Sequence, residues 1–172
     1  MIRPAAAADV PVLLELVHEL AAYEREPDAV EATEAMLRDA LFGPAPLACA
    51  HVAVLDGDVV GFALWYVTFS TWKGRAGIWL EDLFVRPAAR GQGLGKALLT
   101  TLAGVCAERG YARFQWWVLD WNDSAIGFYR SLGAVAQGEW TTMRVDGEAL
   151  RELGGAGAPS PGNPEAPPAN GG

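Results

Sequence analysis

Glycines and basic residues are concentrated in one short segment that follows an apolar strand and opens a helix. The segment consists of Arg90, Gly91, Gln92, Gly93, Leu94, Gly95 and Lys96. Glycines keep side chains away from the backbone, so several amide N–H groups can point at one anion. The amino terminus of the following helix adds a positive partial charge. Together these features predict a binding site for a phosphate or pyrophosphate group.

Two common phosphate-binding loops do not fit this spacing. A P-loop has four residues between its first glycine and the Gly-Lys pair, followed by serine or threonine. Here three residues separate Gly91 from Gly95, and Ala97 follows Lys96. A dinucleotide fingerprint reads G-x-G-x-x-G, whereas Lys96 occupies the place of the third glycine. The spacing therefore argues against both sites.

The pattern R-x-x-G-x-G resembles the pyrophosphate loop of the GNAT acyltransferases, and the resemblance extends to other segments. These are residues 2–5 (IRPA), 20–24 (LAAYE), 80–85 (LEDLFV) and 121–129 (WNDSAIGFY). Across residues 2–150 the chain is similar to the diamine (spermidine/spermine) acetyltransferase branch of that family. The resemblance implies an acetyl-CoA-dependent N-acetyltransferase with an α/β GNAT fold, a mixed and mostly antiparallel sheet flanked by helices.

Length and composition favour one packed domain. The chain has 172 residues, of which 51% are hydrophobic, and a formal net charge of −8. An acidic chain lacks the basic face that a nucleic acid requires. Since no signal-peptide pattern and no long apolar run is present, we expect a cytoplasmic protein away from membranes. We expect the GNAT domain to span residues 1–153 and the Gly/Pro-rich residues 154–172 to form a disordered tail.

Periodicity and turn signals predict the order of the elements. Strands are expected at residues 2–4, 48–55, 59–69, 78–85, 113–119 and 139–145. Helices are expected from Asp9, as a cap, to Tyr23, at residues 33–41, from the glycine loop to Arg109, and at residues 123–132. The Asp56-Gly57-Asp58 sequence predicts a hairpin between the second and third strands.

Amine acetylation requires that the attacking nitrogen lose a proton and that the leaving thiolate gain one. Tyr129 is the candidate acid, because a phenol stays protonated at neutral pH and its segment is similar to the family segment with the catalytic tyrosine. Without that similarity, Tyr129 would be interpreted as a core aromatic residue. The resemblance also implies that Glu81 contacts the substrate amine and relays its proton.

Two adjacent carboxylates interrupt an apolar strand, where charge is costly unless it is paired or faces a cleft. Strict alternation places Glu81 and Asp82 on opposite faces of the sheet, so they are not expected to share one role. Asp82 could help to bind a cation. The alternative for Glu81 is a salt bridge on a half-exposed strand. No histidine or cysteine accompanies the pair, so we expect no metal.

The resemblance assigns further residues to acetyl-CoA. The strand residues Leu83, Phe84 and Val85 would offer backbone groups to the pantetheine arm, and residues 90–96 would hold the pyrophosphate. A second segment, Asn122, Asp123, Ser124 and Ala125, would lie along the cofactor. Asn122 could equally be an ordinary helix cap. Arg86 and Arg90 could add charge or remain solvated.

Other residues match family positions that line the substrate channel: Tyr23 and Glu24, with Glu139 as a further candidate. The tryptophans at positions 72, 116, 117 and 121 could stack on a cation. Ser70 stands where diamine acetyltransferases tend to have an acid, and Lys73 follows, which disfavours long polyamines. His18 and His51 lack partners for a triad or a metal site, and we expect both to be structural.

Three functions remain open on the sequence alone. The leading one is acetylation of a small diamine or polyamine by direct attack in a ternary complex, in a homodimer. A second keeps this chemistry but uses thialysine, a lysine-like compound or another small amine as the acceptor. A third is a non-catalytic acyl-CoA-binding module that regulates a partner. The presence of both Tyr129 and Glu81 weighs against the third.

Overall fold

The computed structural model describes residues 1–155, so the predicted tail lies outside the described residues except for Gly154 and Gly155. The chain divides into two compact units, Met1–Trp117 and a second one that begins at Val118. The elements of the first unit are β1 (Ile2–Pro4), α1 (Val10–Tyr23), α2 (Glu34–Phe42), β2 (Cys49–Leu55), β3 (Asp58–Ser70), β4 (Arg75–Val85), α3 (Leu94–Glu108) and β5 (Phe114–Trp116).

The five strands form one sheet in the order β1-β2-β3-β4-β5. The first three pairings are antiparallel, and β4 pairs with β5 in parallel. The parallel pair needs a crossover, which α3 supplies between β4 and β5. The predicted mixed and mostly antiparallel sheet with flanking helices is therefore confirmed.

The β2–β3 hairpin closes through a turn in which both central residues have positive φ. Asp56 has φ 52° and Gly57 has φ 95°. This geometry matches the right-handed twist of the flanking strands, and an Asp-Gly pair adopts it readily. The hairpin prediction is confirmed, with β3 extended by one residue at each end of its predicted range.

Apolar residues of α1 and α2 pack against one face of the sheet. The buried cluster consists of Leu13, Leu16, Leu41, Ala50, Val52, Phe62 and Phe84. Phe62 on β3 and Phe84 on β4 are direct cross-strand partners, so this face of the central hairpin is fixed by packing. We call it the α1 face of the sheet.

The prediction that Asp9 caps α1 is wrong. Its carboxylate instead accepts hydrogen bonds from both terminal nitrogens of Arg3, at 2.6 and 2.9 Å, and from the Ala6 N–H. The hydrogen bond from Arg3 is the main reason that the pKa of Asp9 lies below its ordinary value. A charged partner on β1 outcompetes the helix amides for this carboxylate.

One buried polar pair of the hairpin joins β2 to β3. The Trp65 indole Nε1–H donates to Nδ1 of His51 at 3.1 Å, and burial lowers the pKa of this histidine. His51 is therefore structural, as expected. Cys49, at the first position of β2, is exposed.

The second unit contains two helices in its described part, α4 (Asp123–Ser131) and α5 (Gly147–Leu153). The predicted strand at residues 139–145 is wrong, since these residues are irregular and exposed. Their alternating pattern is typical of a strand, but a strand also needs a neighbour for its backbone groups. The described part of this unit has none. Nor did the sequence signals predict α5.

The substitution Gly61→Ala should destabilise the β3–β4 pairing. A Cβ at Gly61 would lie 2.7 Å from the Phe84 carbonyl oxygen, a backbone atom that cannot move alone. We expect a loss of about 1–3 kcal/mol of unfolding free energy, measured by denaturant titration. Gly104→Ala is the matched control: it lies within α3 with open space around it, and should gain about 0.5–1 kcal/mol. Equal effects of the two variants would contradict this packing.

Candidate functional site

The glycine loop connects β4 to α3 as predicted. A single helical turn, Pro87–Ala89, follows β4, and α3 begins at Leu94. Gly91 and Gly93 have φ 80° and 76°, although a Cβ at either position would meet open space. Glycine is therefore required at these positions for the positive φ, and not because a larger side chain would clash. No side chain caps the amino terminus of α3, which leaves its first amides available to an anion.

The two arginines next to this loop make different contacts. Arg86 pairs with Glu19 at 2.8 Å and with Glu15 at 3.2 Å, so it fastens the end of β4 to α1. Arg90 donates from Nε to the Val85 carbonyl at 2.9 Å, and its guanidinium lies 4.9 Å from the centre of the Tyr23 ring. Arg86 is therefore not a solvated surface residue, because its guanidinium is held in ion pairs with α1.

The β4 strand is paired on both sides only in its first half. Its ladder with β5 ends at the pair of Leu80 and Trp116. Beyond that point, the strands of the first unit leave the β5 side of residues 81–85 without a ladder, while the β3 side remains paired through Val85. Leu83, Phe84 and Val85, predicted to offer backbone groups to a ligand, lie along this open edge.

A β-bulge interrupts β4 at Glu81. On β3, Leu64 pairs with Asp82 and the next residue, Trp65, pairs with Leu80, so Glu81 is an extra residue without a cross-strand partner. Leu64 and Trp65 are neighbours on a regular strand and face opposite ways. Their partners must do the same, which places Asp82 on the α1 face and Leu80 on the other.

The bulge also brings Glu81 to the α1 face. Its Oε2 accepts a hydrogen bond at 3.1 Å from the indole N–H of Trp79. Trp79 pairs with Tyr66, which is two positions from Leu64 on β3 and therefore shares its face. The prediction that alternation separates Glu81 from Asp82 is wrong, because the extra residue resets the alternation between them.

Two aromatic residues that the sequence did not single out surround Glu81. Burial raises the pKa of Tyr66, and the charge and hydrogen bond of Glu81 raise it further. Trp79 is held by Trp117, whose ring meets it edge-on with centroids 4.8 Å apart. The spacing of Trp79, two positions before Glu81, was an available signal, whereas Tyr66 is reached only through the strand register.

Three carboxylates interact on this face, and we call Glu24, Glu81 and Asp82 the acidic cluster. Asp82 is half-buried; burial, together with the charges of Glu81 and Glu24, raises its pKa to about 7. Glu24 lies just after α1, where partial desolvation raises its pKa. The structure thus brings together three residues predicted to bind a cation, with Tyr23 adjacent in sequence. Such a cluster favours a bound cation over three unpaired charges.

The Ser70–Lys73 turn lies far from this cluster. The buried Ser70 hydroxyl accepts from the Lys73 N–H at 3.3 Å, which makes Ser70 a turn residue. Ser70 lies six positions along β3 from Leu64, the partner of Asp82, which corresponds to roughly 20 Å. Lys73 therefore cannot repel a short acceptor bound at the acidic cluster, because solvent screens charges over that distance.

The remaining predicted residues belong to the second unit. Asn122 caps α4, with its Oδ1 accepting from the Ala125 N–H at 3.2 Å, so the helix-cap interpretation holds. Asp123 and Ser124 form the exposed first turn of that helix. Tyr129 is half-buried on α4, with its ring 5.4 Å from that of Phe128. Glu139 is exposed in the irregular segment that follows.

Residues 1–155 offer neither a metal site nor a membrane-spanning helix. No group of three or more histidine, cysteine, aspartate or glutamate side chains there could hold a metal ion. None of the helices in that range is both long enough and apolar enough to span a bilayer.

Comparison with known proteins places this arrangement among acetyltransferases. A model of the acetyltransferase (GNAT) family matches residues 13–134. Thialysine N-epsilon-acetyltransferase of Bos taurus is 41% identical and is matched over 90% of this chain and 97% of its own length. L-ornithine N5-acetyltransferase of Arabidopsis thaliana is 29% identical over 88% and 86% of the two chains. An integron cassette protein from V. cholerae, 28% identical, superposes with a TM-score of 0.76 over 90% and 97%.

The raised pKa of Asp82 predicts a pH-dependent stability. The folded protein holds this proton more tightly than the unfolded chain does, so unfolding free energy falls as pH rises from about 4 to above 7. The substitution Asp82→Asn removes the ionisable group and therefore this fall in unfolding free energy. We expect the variant to exceed the parent by about 1–3 kcal/mol at about pH 8.5 and to equal it at about pH 4.5, by urea titration.

Asp28→Asn is the control for this measurement, because it makes the same change of charge at an exposed position. It should shift the unfolding free energy little and equally at both pH values. An Asp82→Asn effect of the same size in acid and in base would contradict the electrostatic origin of the shift.

Proposed function

Because this chain belongs to the GNAT acetyltransferase family, we propose that it transfers the acetyl group of acetyl-CoA to a primary amine of a short acceptor that carries a second positive charge. Enzymes of this family use acetyl-CoA as co-substrate. The observation that supports this choice of acceptor is the acidic cluster, which gathers three carboxylates on one face of the sheet. A second ammonium would offset the repulsion among them.

In this proposal the acetyl-CoA phosphates lie at the glycine loop. The left-handed conformations of Gly91 and Gly93 and the uncapped start of α3 suit an anion with several oxygens. Gln92, Leu94, Gly95 and Lys96 complete the loop, and Arg90 braces it against Val85. The open edge at Leu83, Phe84 and Val85 would pair with the pantetheine arm as an added strand does, with residues 122–125 as a further contact.

We assign the proton transfers to Glu81 and Tyr129. Glu81 accepts a proton from the acceptor ammonium, directly or through water, which frees the nitrogen lone pair. The nitrogen attacks the thioester carbonyl carbon in a ternary complex, and the carbon–sulfur bond breaks as the amide forms. Tyr129 donates its phenolic proton to the departing thiolate, and the second proton that the attacking nitrogen loses as the amide forms restores the phenol. Tyr23, Glu24, Asp82 and Glu139 bind the cationic part of the acceptor.

Two observations narrow the class of acceptor: the names of the relatives, and the distance between the acidic cluster and the Ser70–Lys73 turn. The relatives reported above are named for thialysine and L-ornithine, amino acids that carry a side-chain amine. The acidic cluster is compact, and no acid stands in the distant Ser70–Lys73 turn to bind the far end of a long polyamine. We therefore place short acceptors, either lysine-like amino acids or diamines, ahead of spermine.

A panel of matched acceptors tests this proposal through CoA release near pH 8. Each amino acid is paired with the diamine that lacks its carboxylate: lysine with cadaverine and ornithine with putrescine. Thialysine, spermidine and spermine complete the panel. We expect turnover of short acceptors with two amines, and kcat/KM about tenfold or more lower for spermine. Turnover of a monoamine such as propylamine at an equal rate would contradict a role for the second charge.

Tyr129→Phe tests the assignment of the acid. Removing the hydroxyl should lower kcat by about a hundredfold or more, because the thiolate then leaves without a proton donor. The Kd of acetyl-CoA, measured by calorimetry, should not change. Tyr111→Phe is the matched control, since it removes a phenolic hydroxyl that instead accepts a hydrogen bond from Arg109, at 3.5 Å, just beyond the end of α3. Wild-type turnover in Tyr129→Phe would eliminate this tyrosine as the acid.

A further inference from the structure

We propose that Trp79 is a positioning residue for the reaction: its indole N–H holds the Glu81 carboxylate on the α1 face, so that Glu81 is in place to accept a proton from the acceptor. This inference rests on the proposed function, because it assigns Glu81 a proton-accepting role. It adds a residue that neither the glycine loop nor the acidic cluster includes.

The contact itself has the geometry of an orienting bond. The Trp79 Nε1–H donates to Oε2 of Glu81 at 3.1 Å, and the two residues are two positions apart on one strand. Glu81 is exposed and sits on a bulge, so without a partner its long side chain would sample several rotamers. A hydrogen bond to an ionised oxygen is stronger than a neutral one and restricts that freedom.

The donor is itself held in place. The Trp117 ring meets Trp79 edge-on, with 4.8 Å between centroids and 83° between planes. Trp79 is half-buried on β4, next to its cross-strand partner Tyr66. A clamped indole points its N–H in one direction. The position of Oε2 is therefore fixed by packing on β4, independently of any ligand.

Glu81 and Asp82 differ in the groups that surround them. Glu81 faces two donors, the Trp79 indole and the Tyr66 hydroxyl, whose hydrogen bond with Glu81 contributes to the raised pKa of Tyr66. Asp82 faces the carboxylates of Glu81 and Glu24 and is more deeply buried than either. The two donors therefore orient the Glu81 carboxylate, and Asp82 has no such role in this proposal.

The substitution Trp79→Phe tests this inference, because phenylalanine keeps an aromatic ring against Trp117 and removes only the N–H. We expect kcat/KM for the best acceptor to fall about three- to tenfold, from the loss of one hydrogen bond to a charged group. The acid limb of the kcat/KM profile should move to higher pH, and KM for acetyl-CoA should stay unchanged. Trp65→Phe is the control, because it removes an indole N–H that is donated to His51 instead of to Glu81, and it should leave the acid limb at the wild-type pH.

An NMR titration provides a readout that does not depend on turnover. In protein labelled with ¹⁵N-tryptophan, the Trp79 indole resonance should shift with pH as the carboxyl pair titrates, and Glu81→Gln should abolish that shift. The inference would be overturned if the Trp79 resonance keeps its pH-dependent shift in Glu81→Gln. It would also be overturned if the acid limb of Trp79→Phe stays at the wild-type pH. An inactive wild-type enzyme with a responsive Trp79 would instead refute the proposed acceptors and leave the Trp79–Glu81 contact supported.

Discussion

One extra residue in β4 determines the arrangement on which the candidate site depends. A regular strand would send Glu81 and Asp82 to opposite faces, and only the bulge at Glu81 lets both carboxylates meet on the α1 face. The bulge costs the β3–β4 ladder one cross-strand pair. The ladder tolerates this loss because pairing continues on both sides, from Gly61 with Val85 to Ser70 with Arg75. The longest hairpin of the sheet thus carries its irregularity where the chemistry is expected.

The acidic cluster opposes stability in the absence of a cation. Burial and like charge both raise the pKa of Asp82 to about 7, so near neutral pH the folded protein takes up a proton to limit the repulsion. A bound ammonium would replace that proton electrostatically. The burial and like charge that lower the stability of the folded protein would then make the cluster selective for cations. A neutral group bound there would leave the repulsion among the carboxylates uncompensated.

Local features could be predicted from the sequence, and features set by pairing between distant segments could not. The Asp56-Gly57 turn and the glycine loop depend on the backbone preferences of adjacent residues, and both are where the sequence placed them. The bulge depends on the register of β4 against β3, which no single strand encodes. For the same reason the Arg3–Asp9 ion pair was missed, and residues 139–145 were assigned to a strand without a neighbour.

The β4 strand joins two kinds of recognition that can change independently. Its open edge and the loop that follows it offer backbone groups, which are the same whatever side chains surround them. The acidic cluster and Trp79, a few residues earlier, act through side chains. Under the proposed function, substitutions around the cluster would therefore alter the acceptor without disturbing the glycine loop.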